Sequence, residues 1–326
     1  MNPRAAYNEL RRMFPTSWSM TRQYRLPTDD PGQPYFIAWN PGPRPAGEGW
    51  NEATFDDDGL FTLGAYRNPV TISQFALTQH ALAQRGHAQA RVYFLSQAEW
   101  LMRAQRDDGA IPYPVDSPIY GAKSGWISGM AQGEVASVLL RAFIATGDSR
   151  FRDAGVQALA PLARDVRDGG ASYIDGRDVF FEEVASARPH HILNGHIYAA
   201  FALWEYTRFG LADETLRALH HDAVRTLESW LSAFDADGWS CYDLATDDEG
   251  RRHYARLWYH QFHIAQLRVY AAMTERDEFE RMARRWHDAM LSRDVQRRVW
   301  RYHVQTLIRS ARRRVIREAP APLVPP

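Results

Sequence analysis

Two adjacent carboxylates, Glu182 and Glu183, directly follow two phenylalanines in this sequence. Acidic side chains beside aromatic residues tend to have a raised pKa, because an apolar environment disfavours the charged form. A carboxyl group of that kind can take up or release a proton near neutral pH, as general acid–base catalysis requires. A loop acid that caps the following helix explains the pair equally well, so both interpretations stay open.

A second group of reactive side chains lies further along the chain, in Tyr242-Asp243-Leu244 and in the segment 254–263. His260 and His263 share one face of a predicted helix, but no HExxH motif accompanies them. Hydrogen bonds to a ligand or to the core are therefore favoured over a metal site. The single cysteine, Cys241, excludes an internal disulfide and a cysteine-ligated zinc or iron–sulfur site. We predict no metal and no cofactor.

The composition excludes several other functions. The 326 residues carry 39 basic and 39 acidic side chains, a balance that argues against a nucleic-acid partner. The glycines between Gly125 and Gly133 lack the spacing and the lysine of a phosphate-binding loop, and instead allow close approach of a helix or a ligand. The first residues contain no apolar run typical of a secretory signal, and no stretch of about 18 residues lacks polar groups. These features predict a soluble, cytoplasmic protein.

Helical periodicity begins near residue 70 and continues as four pairs of helices. We expect the pairs at 71–85 with 89–105, 130–146 with 150–165, 191–208 with 213–234, and 260–274 with 276–292. Turns within a pair are short, whereas the connections between pairs, such as 107–129 and 167–190, are long. This alternation predicts a mainly α fold, an incomplete (α/α) toroid or barrel of paired antiparallel helices, whose long loops gather at one end and form the site.

The chain is expected to have three parts. Residues 1–65 are rich in proline and glycine, which predicts an irregular segment with short strands such as Tyr35 to Trp39. Residues 66–293 form the toroid, and residues 294–326 form a basic helix with a proline-rich tail. A Val/Ile stripe among many arginines indicates a partly packed terminal helix. The alternative is peripheral contact with the inner face of an anionic membrane, or with an acidic partner. A homodimer is left open.

Several motifs, in one order over roughly residues 50–292, resemble the C-terminal domain of D-glucuronyl C5-epimerases. Those enzymes convert glucuronate to iduronate in heparosan-type glycans. The matching segments are Phe55-Asp56-Asp57-Asp58-Gly59, Asn68-Pro69-Val70-Thr71-Ile72, Met130-Ala131-Gln132-Gly133, Glu182-Glu183, Leu193-Asn194-Gly195 with Tyr198, Tyr242-Asp243-Leu244, and Ala255-Arg256 with Tyr259-His260. The resemblance implies a C5-epimerase whose partner is a uronate-containing oligosaccharide or polysaccharide.

The resemblance implies Glu183, Tyr242 and Tyr259 as the acid–base set. It also suggests a group of residues that contact the uronate carboxylate or the sugar: Tyr66, Asn68, Gln132, Asn194, Tyr198, Arg256 and His260. Proton removal at C5 creates an intermediate with two negative charges, so the site must neutralise the carboxylate. Because free tyrosine has a pKa of about 10, we expect Arg256 or a neighbouring histidine to activate one tyrosine.

Two positions depart from the family pattern, which usually has Tyr where this chain has Val184 and Arg where it has Ala245. We expect three residues on the loop after Val184 to reach the same pocket and bind the carboxylate: Arg188, His190 and His191. Affinity should then fall as pH rises through the histidine range.

Two other functions stay open. One is a polysaccharide lyase, which would yield a C4–C5 unsaturated product that absorbs in the ultraviolet. The other is a glycan-binding accessory protein that has lost catalysis.

Overall fold

The computed structural model describes residues 23–37, 53–63, 66–247 and 249–318. Helices follow one another in pairs: α1 (Pro69–Ala83) with α2 (Ala88–Arg103), α3 (Gly129–Thr146) with α4 (Ser149–Leu159), α5 (Leu193–Arg208) with α6 (Glu214–Trp230), and α7 (Leu257–Thr274) with α8 (Asp277–Leu291). A further helix, α9 (Arg293–Glu318), comes after them. The predicted helix pairs are confirmed, with ends that differ by a few residues.

Helices α1, α3, α5 and α7 form an inner arc, and α2, α4, α6 and α8 lie outside it. Helix α3 is the most enclosed, because every residue from Gly129 to Ala142 is buried. Outer helices are amphipathic: α8 buries Phe279, Trp286 and Met290 on one face and exposes charged side chains on the other. Over the described residues the main packing runs from α1 to α7 and does not return to α1. The fold is therefore an incomplete toroid, as predicted.

The contact between α3 and α5 depends on a glycine and a buried ion pair. A Cβ at Gly133 would lie 2.6 Å from the Cα of Ala199, so the two helices approach too closely for a side chain there. Helix packing, one of the two roles predicted for this glycine, is the one observed. Further along the interface, Arg141 donates to Glu205 at 2.7 Å, and neither side chain is more than 1% exposed.

Small antiparallel sheets lie within the connections. Strand β1 (Ala53–Phe55) pairs with β2 (Phe61–Leu63), and β3 (Ser172–Asp175) pairs with β4 (Asp178–Phe181). Strand β6 (Trp239–Thr246) pairs with both β5 (Asp235–Ala236) and β7 (Arg252–Tyr254). The predicted strand at Tyr35 to Trp39 is wrong for its first three residues, which are buried but irregular. Its last two residues lie outside the described part of the chain.

Helix α9 packs onto the rest of the fold through its N-terminal half. Val299 is buried, and the ring of Tyr302 stacks on Tyr254 at 4.4 Å. The Tyr302 hydroxyl donates to the carbonyl of Arg252. These contacts support the packed interpretation of the terminal helix, whereas membrane contact stays a prediction. The tail from residue 319 lies outside the described residues. Within the described ranges, no helix has both the length and the apolar character needed to cross a bilayer.

Candidate active site

A cleft opens where the long connections meet the ends of the inner helices. Its inner part has a volume of about 350 Å³ and its outer part about 610 Å³. Three side chains, Tyr120, Trp258 and Tyr259, line both parts and therefore mark their junction. The inner part is also lined by Tyr66, Asn68, Tyr113, Glu183, Val184, Asn194 and Tyr198, and the outer part by Arg188, His190, Tyr242, Asp243, Ala245, His253 and Arg256.

Glu183 reaches the cleft because strand β4 ends just before it and helix α5 leaves room for it. A Cβ at Gly195 would lie 2.5 Å from the Cβ of Glu183, so only glycine allows this approach. Asn194 donates to the Glu183 carboxylate at 2.9 Å. Burial, followed by the charges of Glu182 and Asp243, raises the pKa of Glu183 to about 7, although hydrogen bonds from Asn194 and Tyr242 oppose the rise. The expected raised pKa is confirmed for this residue.

Glu182, the other member of the acid pair, turns away from the cleft. It is fully buried and accepts hydrogen bonds from the backbone N–H groups of His190 and His191 at 3.2 and 3.1 Å. The Nδ1 atom of His191 lies 2.6 Å from its other carboxylate oxygen. The predicted helix cap is not observed, because Ile192 occupies the N-cap of α5 without a side-chain hydrogen bond. Glu182 instead holds the loop before the helix, and Glu183 faces the cleft.

Tyr242 on β6 and Tyr259 in the first turn of α7 meet beside Glu183. Their ring centroids are 4.7 Å apart at 65°. The Tyr242 hydroxyl lies close enough to Glu183, Tyr259 and Tyr120 to act on the pKa of each, in the lowering direction. Burial and the charge of Glu183 raise the pKa of Tyr242 and of Tyr259 above the ordinary value, and raise that of Tyr120 to about 12.

These pKa shifts correct the expectation that Arg256 or a neighbouring histidine activates one tyrosine. Arg256 does lower the pKa of Tyr259, but burial and the Glu183 charge outweigh it. Both tyrosines are therefore neutral phenols in the free protein, with their protons available for donation. The group that can be ionised near neutral pH is Glu183.

Most of the other predicted site residues lie in the cleft walls. Tyr66, Asn68, Asn194 and Tyr198 line the inner part, and Arg188, His190 and Arg256 line the outer part. Asn68 also caps helix α1 through its side-chain oxygen, which accepts the hydroxyl proton of Tyr113 at 3.1 Å. The Asn194 Oδ1 atom has no hydrogen-bond partner among the described residues. Val184 and Ala245, the two departures from the family pattern, lie in the inner and the outer wall.

Gln132 does not reach the cleft, which corrects its predicted contact with the sugar. Its side chain is fully buried, and its oxygen accepts from the backbone N–H of Ile111 at 3.0 Å. Its amide group donates to the carbonyls of Gly109 and Ala158 at 2.8 and 2.7 Å. Both amide protons are therefore used, and the buried side chain anchors the connection before α3 without lining the cleft.

His260 is also buried and does not line the cleft, which corrects its predicted contact with the substrate. Its ring stacks on Trp239 at 3.7 Å, its Nδ1 accepts from the backbone of Ser240, and its Nε2 lies 3.2 Å from the carbonyl oxygen of Trp286. Burial lowers the pKa of His260 to about 3, so it is neutral and belongs to the core. His191 also points inward, towards Glu182 and the ring of Trp230, and does not line the cleft.

Residues that the sequence analysis did not select complete the site. Tyr120 lies at the junction of the two parts and contacts the ring of His190 edge-on at 5.0 Å. Trp258 is 44% exposed and stacks on Tyr259 at 3.7 Å. His253 and Asp243 form a pair in the outer part. Within the described ranges, no group of three or more His, Cys, Asp or Glu side chains is arranged to hold a metal ion.

Comparisons with known proteins agree with the resemblance noted in the sequence. The family model described as "D-glucuronyl C5-epimerase C-terminus" matches residues 105–288. A D-glucuronyl C5-epimerase of Caenorhabditis elegans is 30% identical over 243 residues, which is 70% of this chain and 38% of the worm protein. An uncharacterized protein of Methanocaldococcus jannaschii is 29% identical over 175 residues, 51% of this chain and 56% of the archaeal one. This chain thus spans only part of the length of both relatives.

A solved structure of UGL with dGlcA-Glc-Rha-Glc superposes with a TM-score of 0.44 at 16% identity, covering 65% of this chain and 59% of that chain.

Proposed function

Because this chain belongs to the D-glucuronyl C5-epimerase family, we propose that it inverts C5 of uronate residues within a glycan, converting glucuronate to iduronate. The observation that carries the proposal is the grouping of Glu183, Tyr242 and Tyr259 in the cleft, where the two tyrosine rings lie 4.7 Å apart and Glu183 is held by Asn194. Epimerisation needs a base and an acid that both reach C5, and this group supplies one carboxylate and two phenols.

The proton affinities support the following roles. Glu183, with a pKa of about 7, is ionised in a large fraction of molecules at neutral pH and can remove the C5 proton. The electron pair left on C5 is delocalised into the uronate carboxylate. A neutral tyrosine, Tyr242 or Tyr259, then donates a proton to the opposite face of C5. The carboxyl proton of Glu183 then returns to the phenolate beside it, which restores the starting state.

The outer part of the cleft supports the second requirement of the reaction, neutralisation of the charge on the uronate. Arg188 and Arg256 both line it, and each carries a permanent positive charge. Each of the two carboxylates in the same wall has a basic side chain beside it. Asp247 forms an ion pair with Arg251 at 2.7 Å, and Asp243 lies 2.8 Å from His253. Arg188 and Arg256 place positive charge in this wall, and such charge attracts an anionic sugar.

The test is hydrogen exchange at C5. The protein is incubated with a glucuronate-containing polymer in D2O, and deuterium at C5 and iduronate signals are read by NMR. We expect exchange with the natural sequence and a loss of at least about 10²-fold in Glu183→Gln. Glu99→Gln, an exposed glutamate that pairs with Arg103 outside the cleft, is the matched control and should exchange normally.

Two results would contradict the proposal. One is the absence of C5 exchange on every uronate polymer tested. The other is a C4–C5 unsaturated product absorbing in the ultraviolet, which would mean that proton removal leads to elimination of the 4-O substituent.

A further inference from the structure

Strand β6 places a second carboxylate, Asp243, directly after Tyr242. Its side chain is only 5% exposed. The Nδ1 atom of His253, on the paired strand β7, lies 2.8 Å from its Oδ1 atom. His253 is 39% exposed and lines the outer part of the cleft, so solvent protons reach it while Asp243 stays covered.

We infer that His253 and Asp243 form a charge-compensating pair in the outer wall of the cleft that acts on the proposed base, Glu183. This inference rests on the proposed function only in taking Glu183 as the base. His253 acts through Asp243 and touches no reacting atom, so it is a positioning residue for charge.

The charges around the pair support this role. The Asp243 charge is among those that raise the pKa of Glu183, and a protonated His253 offsets that charge. The hydrogen bond with Asp243, together with the charges of Asp243 and Asp247, raises the pKa of His253, which keeps the imidazole protonated over a wider pH range. The remaining titratable groups whose charges or hydrogen bonds couple to Glu183 or Asp243 are Glu182, Glu134, Tyr113, Tyr120, Tyr242, Tyr259 and Cys241.

The sign of the coupling follows. While His253 holds its proton, its positive charge offsets the negative charge of Asp243, and Glu183 loses its own proton more easily. When His253 loses its proton, Asp243 becomes an uncompensated negative charge and Glu183 holds its proton more tightly. The titration of Glu183 should therefore be broad, because two coupled groups share it.

The experiment measures Glu183 directly in the full chain, without substrate. Glutamate side-chain carboxyls are labelled with ¹³C, and the Glu183 resonance is assigned by its absence in Glu183→Gln. We expect His253→Gln to raise the midpoint of the Glu183 titration by about one pH unit, and Asp243→Asn to lower it by about one pH unit, the usual order of effect of one nearby charge on a protein carboxyl group. In the Asp243→Asn background, His253→Gln should cause no further change.

His221→Gln provides the matched control. His221 pairs with Asp222 at 3.6 Å on the exposed side of α6, outside the cleft, so its loss should leave the Glu183 midpoint unchanged. The pH profile of C5 exchange should shift in the same direction as the NMR midpoint in each variant.

The inference is overturned if neither single variant moves the midpoint, or if the effect of His253→Gln persists when Asp243 is already asparagine. Midpoints that move as expected in a protein without C5 exchange would support the pair and refute the epimerase proposal. Normal C5 exchange with unmoved midpoints would refute the role of the pair and support the epimerase proposal.

Discussion

Gly195 offers the sharpest test of how the fold positions Glu183. In Gly195→Ala the added methyl group would lie 2.5 Å from the Cβ of Glu183, 2.9 Å from its Oε2 and 3.1 Å from its Cγ. Rotation of the glutamate side chain cannot relieve the first contact, because the Cβ is attached to the backbone. Carbon atoms pack at about 3.5–4.0 Å, so the loop and α5 must separate by about 1 Å.

That separation affects both stability and activity. Overpacking of this kind costs about 1–3 kcal/mol, and the better helix propensity of alanine returns about 0.5–1 kcal/mol. We therefore expect a net loss of roughly 1–2 kcal/mol in the free energy of unfolding. The hydrogen bond from Asn194 to Glu183 is stretched, and a misplacement of about 1 Å in a catalytic group can lower a rate about 10²-fold.

The assay combines urea unfolding with C5 hydrogen exchange at a pH where both proteins are folded. Gly155→Ala is the matched control, because its methyl group would meet the Tyr206 hydroxyl at 1.9 Å, outside the cleft. The control should lose stability but exchange normally. A folded Gly195→Ala protein with the exchange rate of the natural sequence would refute the role given to this glycine.

Four further predictions concern the acid–base group and the core. Tyr242→Phe and Tyr259→Phe should each lower C5 exchange about 10²–10⁴-fold, measured by NMR, without loss of helical structure. Exchange should rise with pH as Glu183 ionises near pH 7, since only the carboxylate can remove a proton. The contribution of Glu183 to stability, measured by urea unfolding, should fall as pH rises from about 4.5 to about 7. Over this range the native state holds a proton that the unfolded chain releases. Glu205→Ala should lower the free energy of unfolding by about 3–5 kcal/mol, because Arg141 is left buried without its partner.

Controls for these variants are available in the chain. Tyr93→Phe alters a tyrosine outside the cleft and should keep full exchange. Arg103→Ala removes an exposed ion pair and should cost less than about 1 kcal/mol. If Tyr242→Phe and Tyr259→Phe exchange as fast as the control Tyr93→Phe, neither tyrosine takes part in the mechanism. An exchange rate that falls from pH 6 to pH 8 would contradict Glu183 as the base.

The helix pairs could be predicted from the sequence because their apolar periodicity is local, and the motifs located Glu183, Tyr242 and Tyr259. Tyr120 could not be found in the same way. It lies in the long connection before α3, which has no periodicity, and it meets Tyr242 only through the tertiary fold. Gln132 was misassigned because a motif match does not say which way a side chain points. Its amide is used entirely by backbone groups of two other segments.

Val184 and Ala245 are better explained by altered recognition than by lost catalysis. Both line the cleft, but neither is Glu183, Tyr242 or Tyr259, so the proposed acid–base chemistry does not depend on them. The arginine that the resemblance leads one to expect at 245 would have added positive charge to the outer wall. Arg188 supplies such a charge in the same wall, from the loop that Glu182 holds in place. The smaller side chain at 184 widens the inner part beside Glu183. On the proposed mechanism the base, the proton donors and the positive charge are all present, so we expect Val184 and Ala245 to change which glycan is recognised and to leave the reaction itself unchanged.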